Sequence, residues 1–119
     1  MIRFIALIAV AGAALAGVTS IGAAPGAAKK LTGSVGPAET IVLKKGSARV
    51  SSIPRGRYTL VVSDRSSEHN FHLRGPVNKV LTSISWTGTK TVTLNLKPGR
   101  YTYVCDPHSR DMIGRFRVR

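Results

Sequence analysis

The residues best suited to chemistry lie in one short stretch near the end of the sequence, from Cys105 to Gly114. This stretch contains the only cysteine of the chain, followed three positions later by His108 and four positions after that by Met112. A thiolate, an imidazole and a thioether on one loop suit a soft, thiophilic metal ion. One more ligand must come from elsewhere, and His69 is the best candidate. Two histidines, one cysteine and a weak axial methionine form the donor set of electron-transfer copper sites.

Each of these residues also has a plainer interpretation. Cys105 could be an inert buried thiol, and Met112 could be an ordinary core methionine. A zinc site with one cysteine and two histidines is chemically reasonable as well, although Met112 would then have no role. His72 is expected to point away from the metal, because alternate residues of a strand face opposite sides and His69 takes the inner side.

The strand that leads into the cysteine indicates how the thiol is placed. Tyr101, Tyr103 and Cys105 share one face under the two-residue repeat of a strand, so the thiol is expected to point inward with the two tyrosines. The preceding segment, Gly99–Tyr101, fits the tyrosine corner of Greek-key sandwiches. Trp86 is also expected in the core.

The rest of the chain alternates short β-branched or apolar segments with turns. The turn signals are Gly36-Pro37, Lys45-Gly46, Pro54-Arg55-Gly56, Gly75-Pro76 and Pro98-Gly99. Beyond the N-terminal residues, no segment shows a helical repeat over three turns. This pattern predicts an all-β sandwich or barrel of about seven or eight strands.

The first residues of the sequence are typical of an export signal. Arg3 gives the start a positive charge, residues 5–18 are apolar and rich in Ala and Gly, and small residues follow through Ala28. The apolar run is shorter than the roughly 20 residues of a membrane-spanning helix. We therefore expect a signal peptide and short lead-in over residues 1–28, with the cleavage point open, and one domain over residues 29–119. The domain would be exported to the periplasm, cell envelope or extracellular space, as a monomer without a transmembrane span.

The sequence resembles the cupredoxins, the small blue-copper proteins that include plastocyanin, pseudoazurin and amicyanin. The segments that carry the resemblance are Gly99–Cys105, Cys105-Asp106-Pro107-His108, Met112-Ile113-Gly114 and His69-Asn70-Phe71. Together with the strand pattern, the resemblance covers about residues 31–119. It implies a Greek-key cupredoxin-like sandwich that holds one copper ion. The ligands that it implies are His69, Cys105, His108 and Met112.

The resemblance also implies roles for residues around these ligands. The Asn70 amide would tie the segment of the first ligand to the cysteine loop, and Pro107 and Gly114 would lie beside the ligands. Three residues separate His108 from Met112, whereas plastocyanin-like members usually have four there and amicyanin-like members two. This difference leaves the axial distance open, but not the donor set.

The function implied by the resemblance is the transfer of single electrons between redox partner proteins. A copper carrier or buffer with the same ligands and no dedicated electron-transfer role is the alternative. An enzyme is not expected. Copper oxidases and nitrite reductases of this fold need further histidine clusters, and this chain has three histidines and five acidic residues.

The formal net charge of +13 limits the kinds of partner. Only Arg3 is charged among residues 1–28, so the expected domain keeps almost all of this charge. The basic residues are scattered and not interleaved with stacking aromatic residues, and export also argues against nucleic acid as a partner. A solvated basic surface is the simpler interpretation, and steering toward a partner with an acidic surface is the functional one.

Overall fold

The structure, a computed structural model, describes residues 28–119. The expected signal segment therefore lies outside the described residues, apart from Ala28. The described chain folds into ten β-strands and one short 3₁₀ helix, Asp106–His108. No helix within residues 28–119 is long and apolar enough to cross a membrane. The strands are β1 (Lys29–Val35), β2 (Ile41–Lys45), β3 (Ala48–Arg49), β4 (Ser52–Ile53), β5 (Gly56–Asp64), β6 (Phe71–Arg74), β7 (Lys79–Thr82), β8 (Gly88–Leu96), β9 (Gly99–Val104) and β10 (Ile113–Val118).

The strands form two five-stranded sheets. The first sheet has the order β3-β2-β1-β5-β8 and the second the order β4-β10-β9-β6-β7. Neighbouring strands are antiparallel, except that β1 pairs with β5 and β10 with β4 in parallel. The two sheets confirm the all-β sandwich expected from the sequence. Strands β3 and β4 have two residues each, and the other eight agree with the seven or eight predicted.

One apolar core lies between the inner faces of the two sheets. Burial alternates along β5, where Tyr58, Leu60 and Val62 are fully buried, as the two-residue repeat of a strand requires. From the second sheet, Phe71 and Leu73 of β6 fill the same core. The core thus takes alternate residues from strands on both sides, and it supports the loops at the ends of these strands.

Trp86 does not belong to this core, and the expectation that it does is wrong. Strand β7 ends at Thr82, and the Trp86 amide donates to the Ser83 carbonyl at 3.2 Å in a turn beyond the strand. The indole is 37% exposed. It packs against Gly88, where a Cβ would lie 3.1 Å from the ring.

Two tyrosine hydroxyls close corners of the sandwich. The Tyr101 hydroxyl donates to the carbonyl of Lys97 at 2.8 Å, and the Tyr58 hydroxyl donates to the carbonyl of Pro54 at 2.6 Å. Burial raises the pKa of both hydroxyls, so both remain protonated donors at neutral pH. The Tyr101 bond confirms the tyrosine corner expected from the sequence, and it anchors the strand that ends next to Cys105.

Replacing Tyr101 by Phe removes this hydrogen bond and keeps the ring. One hydrogen bond makes a net contribution to stability of about 0.5–1.5 kcal/mol. We therefore expect the free energy of unfolding, measured by urea denaturation, to fall by about 1 kcal/mol. Tyr103→Phe is the matched control, because the hydrogen bonds among the described residues include none from the Tyr103 hydroxyl. Equal losses in the two variants would show that the corner adds no stability of its own.

Candidate metal centre

Three of the predicted donors converge at one end of the sandwich. His69 lies in the loop between β5 and β6, Cys105 follows β9 directly, and His108 is the last residue of the 3₁₀ helix. The Cys105 Sγ lies 3.6 Å from Nδ1 of His69 and 3.6 Å from Nδ1 of His108. The ligand atoms of the three residues all lie within 4.8 Å of one another. The two imidazole rings meet edge to face, with centroids 4.7 Å apart.

These separations fit a single metal ion. A sulfur bound at about 2.3 Å and a nitrogen bound at about 2.0 Å are about 3.5–3.8 Å apart when the angle between the bonds is trigonal or tetrahedral. Both observed S···N distances are 3.6 Å. One thiolate and two imidazoles are donors that copper accepts in both of its common oxidation states. The donor set therefore fits one copper ion.

The cysteine loop is a closed turn held by its own backbone. The Cys105 amide donates to the Met112 carbonyl at 3.0 Å, and the Met112 amide donates to the His108 carbonyl at 2.8 Å. The His108 amide donates to the Cys105 carbonyl at 3.0 Å, in the 3₁₀ turn that brings residues three positions apart onto one side. Pro107 lies in the first turn of that helix, where its fixed φ and missing amide are favourable.

Met112 ends this loop and is fully buried in the same core cluster as Cys105. This position agrees with an axial thioether ligand, and it agrees equally with a core methionine. The ligand role of Met112 therefore stays a prediction, as do the ligand roles of His69, Cys105 and His108.

A turn after β5 holds His69 in place. The Ser66 amide donates to Asp64 Oδ1 at 3.1 Å, and the His69 amide donates to the Ser66 carbonyl at 3.4 Å, in a local arrangement typical of Asp and Ser. Gly36 permits the close approach of this turn, because a Cβ there would lie 2.9 Å from Ser66 Cβ and 3.3 Å from His69 Cδ2. Strand β6 begins only at Phe71, so His69 precedes the strand that the sequence predicted to contain it.

Asn70 joins the two loops. Its Oδ1 accepts a hydrogen bond from the Asp106 amide at 2.8 Å, and its Nδ2 donates to Asp106 Oδ2 at 2.9 Å. Asn70 itself is buried. The residue that follows His69 is thereby tied to the residue that follows Cys105.

Asp106 is a supporting residue that was not predicted from the sequence. The Asp106 carboxylate also accepts a hydrogen bond from His72 Nδ1 at 3.0 Å, and it forms an ion pair with the Arg74 guanidinium. Burial raises the pKa of the Asp106 carboxyl, but the hydrogen bonds from Asn70 and His72 and the charges of His72 and Arg74 lower it more, so its pKa lies below its usual range. His72 therefore turns away from the donors and supports the cysteine loop. The acidic residue directly after the cysteine was the feature of the sequence that could have indicated this supporting role.

Comparison with known proteins identifies the fold. No protein-family model matches the chain, and no curated protein sequence matches it. Among solved structures, reduced rusticyanin at 1.9 Å has a TM-score of 0.57 and 19% identity over 76% of this chain and 78% of that chain. Rusticyanin from Thiobacillus ferrooxidans at 1.27 Å has a TM-score of 0.57 and 18% identity over 76% of each chain. Rusticyanin is a cupredoxin. The chain has the cupredoxin fold.

In this cupredoxin fold, His108 is the donor that reaches the surface. Its side chain is 31% exposed, and its Nε2 lies 3.7 Å from Glu39 Oε1. Cys105 and His69 are buried. All five acidic residues of the chain lie in or beside the segments that surround the donors. They are Glu39, Asp64, Glu68, Asp106 and Asp111.

Gly114 is required by the packing of a tyrosine beside the loop. Strand pairing places Gly114 opposite Tyr103, and a Cβ on Gly114 would lie 2.2–2.4 Å from the phenol group. Only a residue without a side chain allows Tyr103 to lie over β10 at this point. Gly114 thus acts on the packing of the strand that leaves the cysteine loop.

Replacing Asn70 by Ala removes both hydrogen bonds to Asp106 and leaves the Asp106 amide without its partner. We expect the free energy of unfolding of the metal-free protein to fall by about 2 kcal/mol in urea denaturation. Asn78→Ala is the control. Asn78 Oδ1 accepts one exposed hydrogen bond, from His72 Nε2 at 2.7 Å, and the loss of this bond should lower the free energy of unfolding by no more than about 0.5 kcal/mol. Similar losses in both variants would contradict a special role for Asn70.

Proposed function

We propose that this protein binds one copper ion in a type 1 site and passes single electrons between redox partner proteins. The observation that carries the proposal is the buried Cys105 thiol, which lies 3.6 Å from one nitrogen of each of two histidines. Rusticyanin, which shares the fold, is described as a copper protein. The proposed ligands are His69, Cys105, His108 and Met112.

The four proposed ligands have different tasks. The Cys105 thiolate and the imidazoles of His69 and His108 would hold the ion, and the Met112 thioether would be its weakest ligand. Copper would supply the chemistry by alternating between Cu(I) and Cu(II). The turns, the Asn70 hydrogen bonds and the sandwich core would keep the donors in nearly the same places in both states. Little rearrangement is then needed when an electron moves.

Electrons would enter and leave through the His108 ring. Of the three donors that the structure brings together, His108 is the one with a partly exposed side chain. A partner that contacts this end of the sandwich meets the outer edge of the imidazole, while the thiol stays away from water and oxidants. The same burial argues against a carrier that releases its copper readily, because Cys105 and His69 are covered by protein.

The proposal includes export and a non-enzymatic role. Strand β1 begins at Lys29, directly after the expected signal segment, which supports a folded unit over residues 29–119. The mature protein would act as a monomer in the periplasm, the cell envelope or the extracellular space. Its three histidines leave too few for a second catalytic copper cluster beside the proposed site.

The test of the proposal is the visible and EPR spectrum of the purified protein after addition of Cu(II). An intense thiolate-to-copper band with narrow hyperfine splitting is expected. Cys105→Ala should abolish the band while circular dichroism still reports a folded sandwich. His72→Ala should keep the band, because His72 contacts Asp106 and not the donors. If the colour survives in Cys105→Ala, the site assignment is wrong, and tight binding without the band would favour the carrier.

Replacing Met112 by Leu tests the axial ligand. A leucine cannot donate to the metal, and loss of a weak donor destabilises Cu(II) more than Cu(I). We expect the copper to remain bound and the reduction potential to rise by at least about 59 mV, which is a tenfold change for one electron. Cyclic voltammetry of both proteins measures the shift. An unchanged potential would identify Met112 as a core residue only.

A further inference from the structure

Arginines line the outer face of the second sheet. Thr102 of β9 pairs with Arg74 of β6 and with Arg115 of β10, so the three residues form one row across the sheet. In the next row Arg100 pairs directly with Arg117. All four arginines are exposed. We call Arg74, Arg100, Arg115 and Arg117 the arginine face.

Two adjoining grooves follow this face. The first has a volume of about 620 Å³ and is lined by all four arginines, with Gly75 and other short side chains between them. The second has a volume of about 560 Å³, shares Arg100 and Arg117 with the first, and continues to Arg55 and Arg119. Every basic residue that lines either groove is an arginine, although the chain also contains several lysines.

Most of this positive charge is not neutralised within residues 28–119. Arg74 pairs with the Asp106 carboxylate, whereas no acidic group of the described chain forms an ion pair with Arg100, Arg115 or Arg117. Arg100 and Arg117 also lie directly opposite each other, and like charges at such positions destabilise a sheet. The arrangement lowers the stability of the free protein, and a bound anion would reverse that effect.

We propose that the arginine face binds an extended acidic peptide segment of a partner protein. Each guanidinium can donate two parallel hydrogen bonds to one carboxylate. Side chains on one side of an extended peptide repeat every two residues, or about 6.6–6.8 Å. The same two-residue repeat separates Arg115 from Arg117 along β10. Alternate Asp or Glu residues of the peptide therefore match successive arginines.

The composition of the grooves favours a peptide over single-stranded nucleic acid or a membrane surface. Proteins that bind single-stranded nucleic acid combine a basic groove with exposed aromatic rings on which bases stack. The aromatic residues at the first groove, Tyr101 and Phe116, are buried and stack on each other with centroids 5.1 Å apart. The exposed large apolar side chains of the described chain line neither groove, so none is placed there to enter a membrane. They are Val80, Ile84 and Trp86.

This binding site does not depend on the proposed copper function. The arginines of the two grooves are not among the proposed ligands, and peptide binding can be measured on metal-free and copper-loaded protein alike. Failure of peptide binding would leave the copper proposal untouched, and absence of a copper spectrum would leave the peptide proposal untouched.

The experiment measures the fluorescence anisotropy of a labelled peptide of about ten residues that alternates Glu and Ser. At an ionic strength of about 0.15 M, we expect Arg100→Gln/Arg117→Gln to weaken binding by at least about tenfold. The matched control is Arg49→Gln/Arg57→Gln, which removes the same charge from exposed positions of the first sheet and should weaken binding by less than about twofold. Arg100→Lys/Arg117→Lys keeps the charge but loses the forked donors, and it should weaken binding by about threefold or more.

Four results would overturn the proposal. The first is no measurable binding of the peptide. The second is equal weakening in both glutamine variants, which would indicate diffuse attraction to net charge. The third is full binding by the lysine variant. The fourth is a single-stranded DNA of equal charge that binds as tightly as the peptide and depends on the same two arginines. Thermal unfolding serves as the folding check, and Arg100→Gln/Arg117→Gln should not be less stable than the natural protein, because it removes a pair of like charges.

Discussion

The two hydrogen bonds between Asn70 and Asp106 join the loops that carry the donors, next to the pairing of β6 with β9. The turn after β5 positions His69, and the 3₁₀ helix positions Cys105 and His108. The Asn70 end of this link is buried, and its Nδ2 bond has an ionised acceptor, which makes it stronger than a bond between neutral groups. Because it joins protein groups, it can hold the donors alike in both oxidation states of a bound metal.

Local pattern was sufficient for the parts of the fold that repeat every two residues. It predicted the all-β sandwich, the inward direction of Tyr101, Tyr103 and Cys105, and the position of Cys105 and His108 on one loop. It failed for Trp86, because nothing in the local sequence marks where β7 ends. It also missed Asp106 as the partner of Asn70. That contact joins residues 36 positions apart, and the pairing of β6 with β9 brings them together.

The charges of the molecule are scattered in the sequence and segregated in the fold. The acidic residues come from separate segments, yet all of them lie around the metal end, with Glu39 against His108. The arginines of the second sheet come from three strands, and the strand register gathers them onto one face. The surface around His108 therefore carries both signs of charge, because the exposed Arg110 lies on the same loop. The proposed electron exchange at His108 and the proposed peptide binding at the arginine face use different surfaces, with different requirements for a partner.

One contact connects these two surfaces. Arg74 belongs to the arginine face and also pairs with Asp106, the residue after Cys105. A peptide carboxylate that took Arg74 from Asp106 would leave a negative charge less neutralised beside the metal loop, while Asn70 and His72 kept their bonds to it. Any coupling between two sites is reciprocal. If a ligand at Arg74 changes the affinity of a metal held at Cys105, that metal changes the affinity of the ligand by the same factor, whereas a ligand confined to Arg100 and Arg117 does not engage the Arg74–Asp106 contact.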